Sequence, residues 1–447
     1  MAEELLAVVE SAVKQGMLRG ADAVEAFASK GSELSIEVRH RKVETLKQAE
    51  DRGIGIRVFK GKRVGFAFGT DISREGINDT LNRATSAADY TAEDEYQRLP
   101  VPQGGYPALE LLDDTITATP VEDKIALALR MEEAALGFDR RVKVIENSTY
   151  QEGISKVAIA NSLGISASYR SAVCGLYISL AAEQDGQSET GYALWYGRRY
   201  SRLNPETLGK EAAGRAVGLL GARTIKTCSV PVVFDPYVAA DIIGLLAPAL
   251  TAEAVQRGRS LFAGKIGEKV AGGGFTLIDD GTYTDGVRTA PFDGEGVLTQ
   301  KTVLVKDGVL QGYLYNTYTA AKEGCTSTGN ATRASFKCTP GVGHTNFYLE
   351  PGQLSPEELI REVEEGLYVM EVMGMHTANP ISGDFSVGAA GMWIDQGVLT
   401  QPVRGVVIAG NMLELLKSID AVANDIRFFG GRGAPTFRVE ALRISGH

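Results

Sequence analysis

The sequence predicts an α+β protein of two domains. Helices lie on a mostly antiparallel sheet in the first domain, and the second is β-rich, with repeated hairpin–helix units forming a sheet or partial barrel. Three observations predict this. The 447 residues exceed what one ordinary core holds. The first half alternates strand-period and helix-period runs. Near Gly221 the composition shifts to short, glycine-rich strands, which places the domains at 1–220 and 221–447.

The elements follow in order. Apolar residues at helical spacing predict a first helix from Ala2 to Gln15, ending near Gly16. "ADAVEAFASKG" and "ELSIEVRHRKVETLKQ" alternate as strands, and "GIGIRVFKGKRVGFAFG" is a hairpin around Lys60-Gly61-Lys62. A helix from Arg74 to Asp89 precedes an irregular, Pro- and Gly-rich stretch, Leu99 to Thr119. Pro120 starts a helix that runs to Leu136. Four strand runs follow, then a helix from Asn204 to Leu219. In the second half, "TVLVKDGVLQGYLYNTYTAAK" and "GMWIDQGVLTQPVRGVVIAGNMLELLK" each read as strand, tight turn, strand, helix, because glycine accepts the positive φ such turns need. Between them, Ser355 and Glu358 form a capping box for a helix from Ser355 to Glu365.

Composition removes several function classes. The chain is 44% hydrophobic and 23% charged, with a formal charge of −10, which disfavours nucleic acid and anionic membranes as direct partners. The densest basic cluster, Gly197 to Arg202, reads as a solvated strand end or turn, with a phosphate contact as the alternative. Four widely spaced cysteines point to reduced thiols and a cytoplasmic setting. The first residues are acidic where a signal peptide is basic, and no stretch is long and clean enough to span a bilayer.

Strong catalytic motifs are absent: no phosphate loop, no dinucleotide fingerprint, no nucleophile elbow and no H-E-x-x-H pattern. The histidines are His40, His344, His376 and His447. A zinc site from His344, His376 and Cys338 is one reading, and ordinary loop or packed histidines are the other. "LIDDGTYTDG", Leu277 to Gly286, reads as a solvated turn, with a cation site as the alternative. In "ISGDFSVGAAG", Ser382, Asp384 and Ser386 alternate with apolar residues. That suits either an edge that accepts an extended peptide or an internal strand with a polar face. "DIIGLLAPAL", Asp241 to Leu250, reads as a buried apolar helix that Pro248 kinks near Gly244.

Several stretches in this order resemble one family. "SLFAGKIGEKVAGGGFTLIDDGT", "HTNFYLEPGQLSPEELI", "ISGDFSVGAAGMWIDQGVLTQPVRGVVIAGNMLELLKSIDAVANDIRF" and "GAPTFRVEALRISG" are similar to the second half of TldD/PmbA proteins. "VETLKQAEDRGIGIRVFKGKRVGFAFGT" and "AALGFDRRV" extend the likeness, more loosely, into the first half. The resemblance implies two branches. TldD proteins carry H-E-x-x-x-H on a helix just before the segment matching Ser260 to Gly264, with a cysteine ligand near the C-terminus. Here those helix positions fall at about Ile243, Gly244 and Pro248, and "NDIRFFGGRGAPTFR" runs past the place of the cysteine.

The chain therefore resembles the TldE (PmbA) branch. That implies a non-catalytic subunit with no zinc of its own, zinc being held only by a TldD-type partner. It also implies a heterodimer with that partner, or a homodimer, acting on unfolded peptides in peptide maturation or antitoxin turnover. Candidate peptide contacts are Asn330, Arg333, Asn346, Ser382, Asp384 and Ser386. Two alternatives stay open. One is an independent non-zinc peptidase drawing on Cys325, Cys338, His344 and His376. The other is a binding protein linked to gyrase.

Overall fold

Period-2 alternation in the first half becomes six long strands: β1 (Ala23–Arg39), β2 (Lys42–Lys60), β3 (Arg63–Gly69), β4 (Val142–Asn161), β5 (Ser166–Gln184) and β6 (Gln187–Gly197). In the computed structural model, which describes residues 2–446, they form one sheet in the order β3-β2-β1-β4-β5-β6. Every neighbouring pair is antiparallel. The helices are α1 (Ala2–Leu18), α2 (Arg74–Tyr90), α3 (Asp114–Ala118), α4 (Val121–Leu136) and α5 (Pro205–Leu219). The short α3 lies inside the stretch that the sequence predicts to be irregular; Asp113 caps it by accepting from the Thr115 N–H. Pro120 and Asn204 stand at the N-caps of α4 and α5, close to the predicted starts.

The alternation on β1 decides what covers each face. Val24, Ala26 and Ala28 pack with α1 and α2, whereas Leu34, Ile36 and Val38 on the same face pack with α4 and α5. The opposite face is not solvated. Phe27, Val157 and Ile159 meet Phe292 and Phe336 from the second half, so residues 24–28 are buried on both sides.

The second half opens with β7 (Cys228–Phe234), α6 (Pro236–Ala249) and α7 (Ala252–Gln256). It continues through β8 (Leu277–Asp280), β9 (Lys301–Lys306), β10 (Val309–Leu310), α8 (Thr317–Glu323), β11 (Ala331–Thr332), β12 (Gly341–Val342) and β13 (Phe347–Leu349). After α9 (Pro356–Arg361) come β14 (Glu365–Met373), β15 (Asp384–Asp395), β16 (Val398–Asn411) and α10 (Met412–Lys417). The chain ends with β17 (Ile419–Val422), β18 (Arg427–Phe429), β19 (Arg432–Ala434) and β20 (Phe437–Ser445). One sheet runs β16-β15-β14-β7-β20-β17, and a further β16–β20 pairing closes five of its strands into a barrel. A second sheet runs β10-β9-β8-β13-β19-β18, and β11 pairs with β12.

Both predicted hairpin–helix units are present. Their turns sit at Asp307-Gly308 and Gln396-Gly397, all with positive φ. Only the second unit belongs to the barrel, which closes fully; the first belongs to the other sheet. The helix predicted over Ser355 to Glu365 stops at Arg361, with its capping box in place, and Glu365 already starts β14. Among the described residues, no helix is long and apolar enough to cross a membrane.

Arginines join the two halves. Arg57 donates to Glu25 at 2.9 and 2.5 Å and to Glu295 at 3.3 Å, and Arg333 donates to Glu25. Glu25 and Arg57 belong to the first sheet, and Glu295 and Arg333 to the second half; all four side chains are almost wholly buried. Arg198, at 2% exposure, donates to the carbonyls of Leu111, Ala172, Gly286, Val287 and Thr289. The cluster read as a solvated turn thus holds an interdomain clamp, while Arg199 pairs with Glu110 and Arg202 with Asp285.

Removing one member of a buried ion cluster strands its partners in a poorly solvating interior. Glu25→Ala leaves Arg57 and Arg333 sharing Glu295 alone. The expected cost is about 3–5 kcal/mol, read as an earlier urea unfolding transition by circular dichroism. A transition unchanged from wild type contradicts this role.

Candidate functional site

A cleft of about 670 Å³ lies between the outer face of the first sheet and the second half. Phe27, Val157 and Tyr169 line one side, and Phe292, Arg288 and His344 line the other. The wall behind them is polar and buried. Asp279 accepts from Asn330 Nδ2 at 2.6 Å and from the Thr345 N–H and hydroxyl at 2.6 and 2.9 Å. Asp293 accepts the backbone N–H groups of Glu295, Val297 and Ala331. Burial pushes Asp279 up to about 6. Burial, with the Glu295 charge nearby, pushes Asp293 up to about 7. Carboxylates that titrate near neutrality beside a cleft mark it as the leading candidate site.

Helix α6 is linked to this region through Arg432, which lies over Gly244 and whose charge acts on Arg288. It packs against β13, β18 and β19 on one side and β7 and β14 on the other. Asp235 caps it by accepting the Tyr237 N–H. The helix is not buried all round: Asp241, Gly244, Leu245 and Pro248 share one partly open stripe, as residues spaced by three and four must. α6 is assigned as one continuous helix with Pro248 in its last turn. The stem of Arg432 lies across Gly244, where an added Cβ would come within 2.7 Å of Arg432 Cδ. The Arg432 guanidinium reaches Asp241 at 3.6 Å. Arg288 lies across Gly431 in the same way, and its Nη1 is 3.3 Å from His344 Nε2. Burial and the charges of Arg288 and Arg432 push His344 down to about 4.

This arrangement does not fit a zinc ion. Ile243 is fully buried, Gly244 has no side chain, and Pro248 is exposed without a donor. A guanidinium covers the middle of the stripe, and a cation there repels a divalent metal. Among the described residues, no three His, Cys, Asp or Glu side chains form a metal-binding group. His344 sits against Arg288 and the Phe347 ring, His376 and Cys338 are exposed, and His447 lies outside the described residues. No hydrogen bond joins a cysteine to a histidine among the described residues, and partial burial pushes the Cys325 thiol up rather than down.

The six candidate contacts divide into two groups. Asn330 and Asn346 are buried at 2% and 0% exposure. Asn330 holds Asp279 and the Gly343 carbonyl, and Asn346 donates to the Asp280 carbonyl and the Thr289 hydroxyl. The Arg333 guanidinium is buried too, donating to Glu25 and to the carbonyls of Gly294 and Cys338. Arg333 lines the cleft with its guanidinium turned to these internal partners, and Asn330 and Asn346 lie behind the lining. Ser382, Asp384 and Ser386 are exposed at the barrel's rim, where Ser382 donates to Asp384 at 2.8 Å and Asn411 donates to Asp384 at 3.0 Å. Strand β15 pairs on both sides, but its residues before Gly388 pair only with β16.

Sequence reasoning missed Asp279, Asp293, Arg288 and Arg432. Asp279 and Asp280 stand in the stretch read as a solvated turn, yet they form part of β8 and are buried. Arg288, between Val287 and Thr289, and Arg432, between two glycines, carry no motif.

Family models match nearly the whole chain: PmbA/TldA metallopeptidase domain 1 over residues 24–88, the central domain over 114–220 and the C-terminal domain over 227–446. A metalloprotease PmbA of Escherichia coli O157:H7 is 32% identical, over 95% of this chain and 92% of its own. A crystal structure of a candidate modulator of a DNA gyrase from Thermotoga maritima superposes with a TM-score of 0.92 at 28% identity, covering 98% of this chain and 99% of that one. TldE from Thermococcus kodakarensis shares the fold, with a TM-score of 0.90 at 24% identity over 98% of this chain and 100% of that one.

The His344 environment generates a pH prediction. Its folded value is depressed, so its contribution to stability is full above the ordinary value of 6.5 and is lost as pH falls toward about 4. NMR titration is expected to show His344 neutral at pH 6, and Arg432→Gln is expected to raise its midpoint. A midpoint of 6.5 in the wild type contradicts the geometry.

Proposed function

The chain belongs to the PmbA/TldD metallopeptidase family, and on that premise we propose that it is the non-catalytic, TldE-like subunit of a TldD-type metallopeptidase complex. One observation carries the reading. The open stripe of α6 offers Asp241, Gly244, Leu245 and Pro248, with Arg432 laid over its middle. Zinc hydrolysis needs three protein ligands, an open position for water and a carboxylate to move the proton. In this proposal a TldD-type partner supplies all of them, and this chain alone is inactive.

The partner is a TldD-type chain, or a second copy of this one in a homodimer without zinc. The substrates are unfolded peptides, in roles such as peptide maturation or antitoxin turnover. This subunit contributes the cleft, whose aromatic wall suits apolar side chains. Asn330, Arg333 and Asn346 hold the wall, and Ser382, Asp384 and Ser386 offer polar contacts at the barrel rim. The formal charge of −10 argues against a nucleic-acid ligand, and the setting is the cytoplasm, where four unpaired thiols stay reduced. The gyrase-modulator name of the Thermotoga maritima relative favours one competitor, a gyrase-binding role.

Elemental analysis and a peptidase assay on this chain alone, and after mixing with a TldD-type chain, test the proposal. Zinc and chelator-sensitive cleavage are expected in the mixture only. Stoichiometric zinc with cleavage by the unmixed chain overturns it. A stable complex with gyrase and none with a TldD-type chain overturns it in favour of the competitor.

A further inference from the structure

Among the described residues lining the cleft, Arg288 is a cation that no carboxylate contacts directly, although the Asp279 charge acts on it from a distance. Arg333 is matched by Glu25, and Arg57 by Glu25 and Glu295. Arg432 has Asp241, at 3.6 Å. Arg288 lines the cleft and makes no ion pair among the described residues; its Nη1 has only the ring Nε2 and the carbonyl oxygen of His344, both at 3.3 Å. Its stem is held against Gly431, where an added Cβ would lie 2.4 Å from Arg288 Cδ, so the guanidinium is positioned by packing, not left to wander. Arg432, the residue after Gly431, is close enough that the two cations weigh on each other: partial burial and the Arg432 charge lower Arg288, and the Asp279 charge offsets this only in part.

We infer that this end of the cleft is a carboxylate-binding subsite in which Arg288, flanked by Arg432 and His344, receives the carboxylate of a bound peptide. A planar guanidinium donates two parallel hydrogen bonds to a carboxylate, and the anion relieves the repulsion between the two arginines. His344, neutral at neutral pH, turns its Nε2 toward Arg288 Nη1 as an acceptor and so helps to orient the guanidinium. The cleft suits a small anion beside an apolar body: Phe27, Val157, Tyr169 and Phe292 stand within the same cavity. A chain of formal charge −10 has no broad basic face for a polyanion, so a single carboxylate is the matching ligand. The inference rests on the peptide-holding reading above and specifies the ligand's chemistry.

The test is a fluorescence-polarisation titration of the full chain with three labelled pentapeptides of one apolar sequence. One ends in a free carboxylate, one is amidated, and one is amidated with glutamate as its last residue. The free acid is expected to bind about tenfold more tightly than the plain amide, since a hydrogen bond to a charged group contributes on that scale. Equal recovery by the glutamate amide shows that the site takes a terminal or a side-chain carboxylate alike; no recovery assigns it to the peptide terminus; both support the inference. Arg288→Gln is expected to abolish the preference, and Arg432→Gln to reduce it. Arg130→Gln, on the exposed surface of α4, leaves it intact. If all three peptides bind alike, or if Arg288→Gln keeps the preference, the inference fails while the subunit assignment stands. If no peptide binds, the cleft itself is misassigned, whatever the mixing experiment reports.

Discussion

Four buried charges, Glu25, Arg57, Glu295 and Arg333, hold the architecture in one arrangement. Two come from neighbouring strands of the first sheet and two from loops of the second half. Ions in a low-dielectric interior tolerate little displacement, because each lost bond exposes an uncompensated charge. The cluster therefore sets how the outer face of the sheet meets the second half. Glu295 also accepts the Thr317 N–H at the start of α8, which ties that helix to the same point. The cleft beside it inherits its shape from this fastening, with the Arg198 clamp at the end of β6 as a second anchor.

The consequence is a division of labour among similar residues. Arginines within the interface are satisfied by carboxylates or by carbonyls, and they hold it together. Arg288 and Arg432 lie beyond it with stems across glycines; the Arg432 head pairs with Asp241, and the Arg288 head lines the cleft. The same logic separates the aspartates. Asp279 and Asp293 organise loops by accepting backbone N–H groups, and burial brings both near neutrality. In the proposed reading, chemistry at this site concerns binding and orienting a ligand: among the described residues no cysteine is hydrogen-bonded to a histidine, and the open stripe of α6 carries a guanidinium where a metal would need donors.

Much of the fold was legible in the sequence because it is local. Alternation marked the strands, Ser355 and Glu358 marked a cap, and Asp307-Gly308 marked a turn. The closed barrel was not legible, since β7 meets β14 and β20 across more than a hundred residues of intervening chain, and no local pattern encodes that pairing. The double burial of β1 near Phe27 was equally hidden, because its covering residues Phe292 and Phe336 lie in loops. At the site, Asn330, Arg333 and Asn346 were named as candidate peptide contacts, and in the structure their side chains bond to internal partners. Polar residue types do not reveal whether their bonds close within the protein. Gly244 was read only as a missing ligand; the structure shows that it also makes room for Arg432.

Helix α6 carries the central claim: in this chain its open stripe is occupied by an arginine and has no place for an ion. The most direct measurement is an anomalous difference map at the zinc edge from crystals of the mixed complex. The expected result is one zinc peak per heterodimer, within the TldD-type subunit, with Arg432 lying over Gly244 in this one. A zinc peak within coordination distance of α6 in this chain would contradict the account.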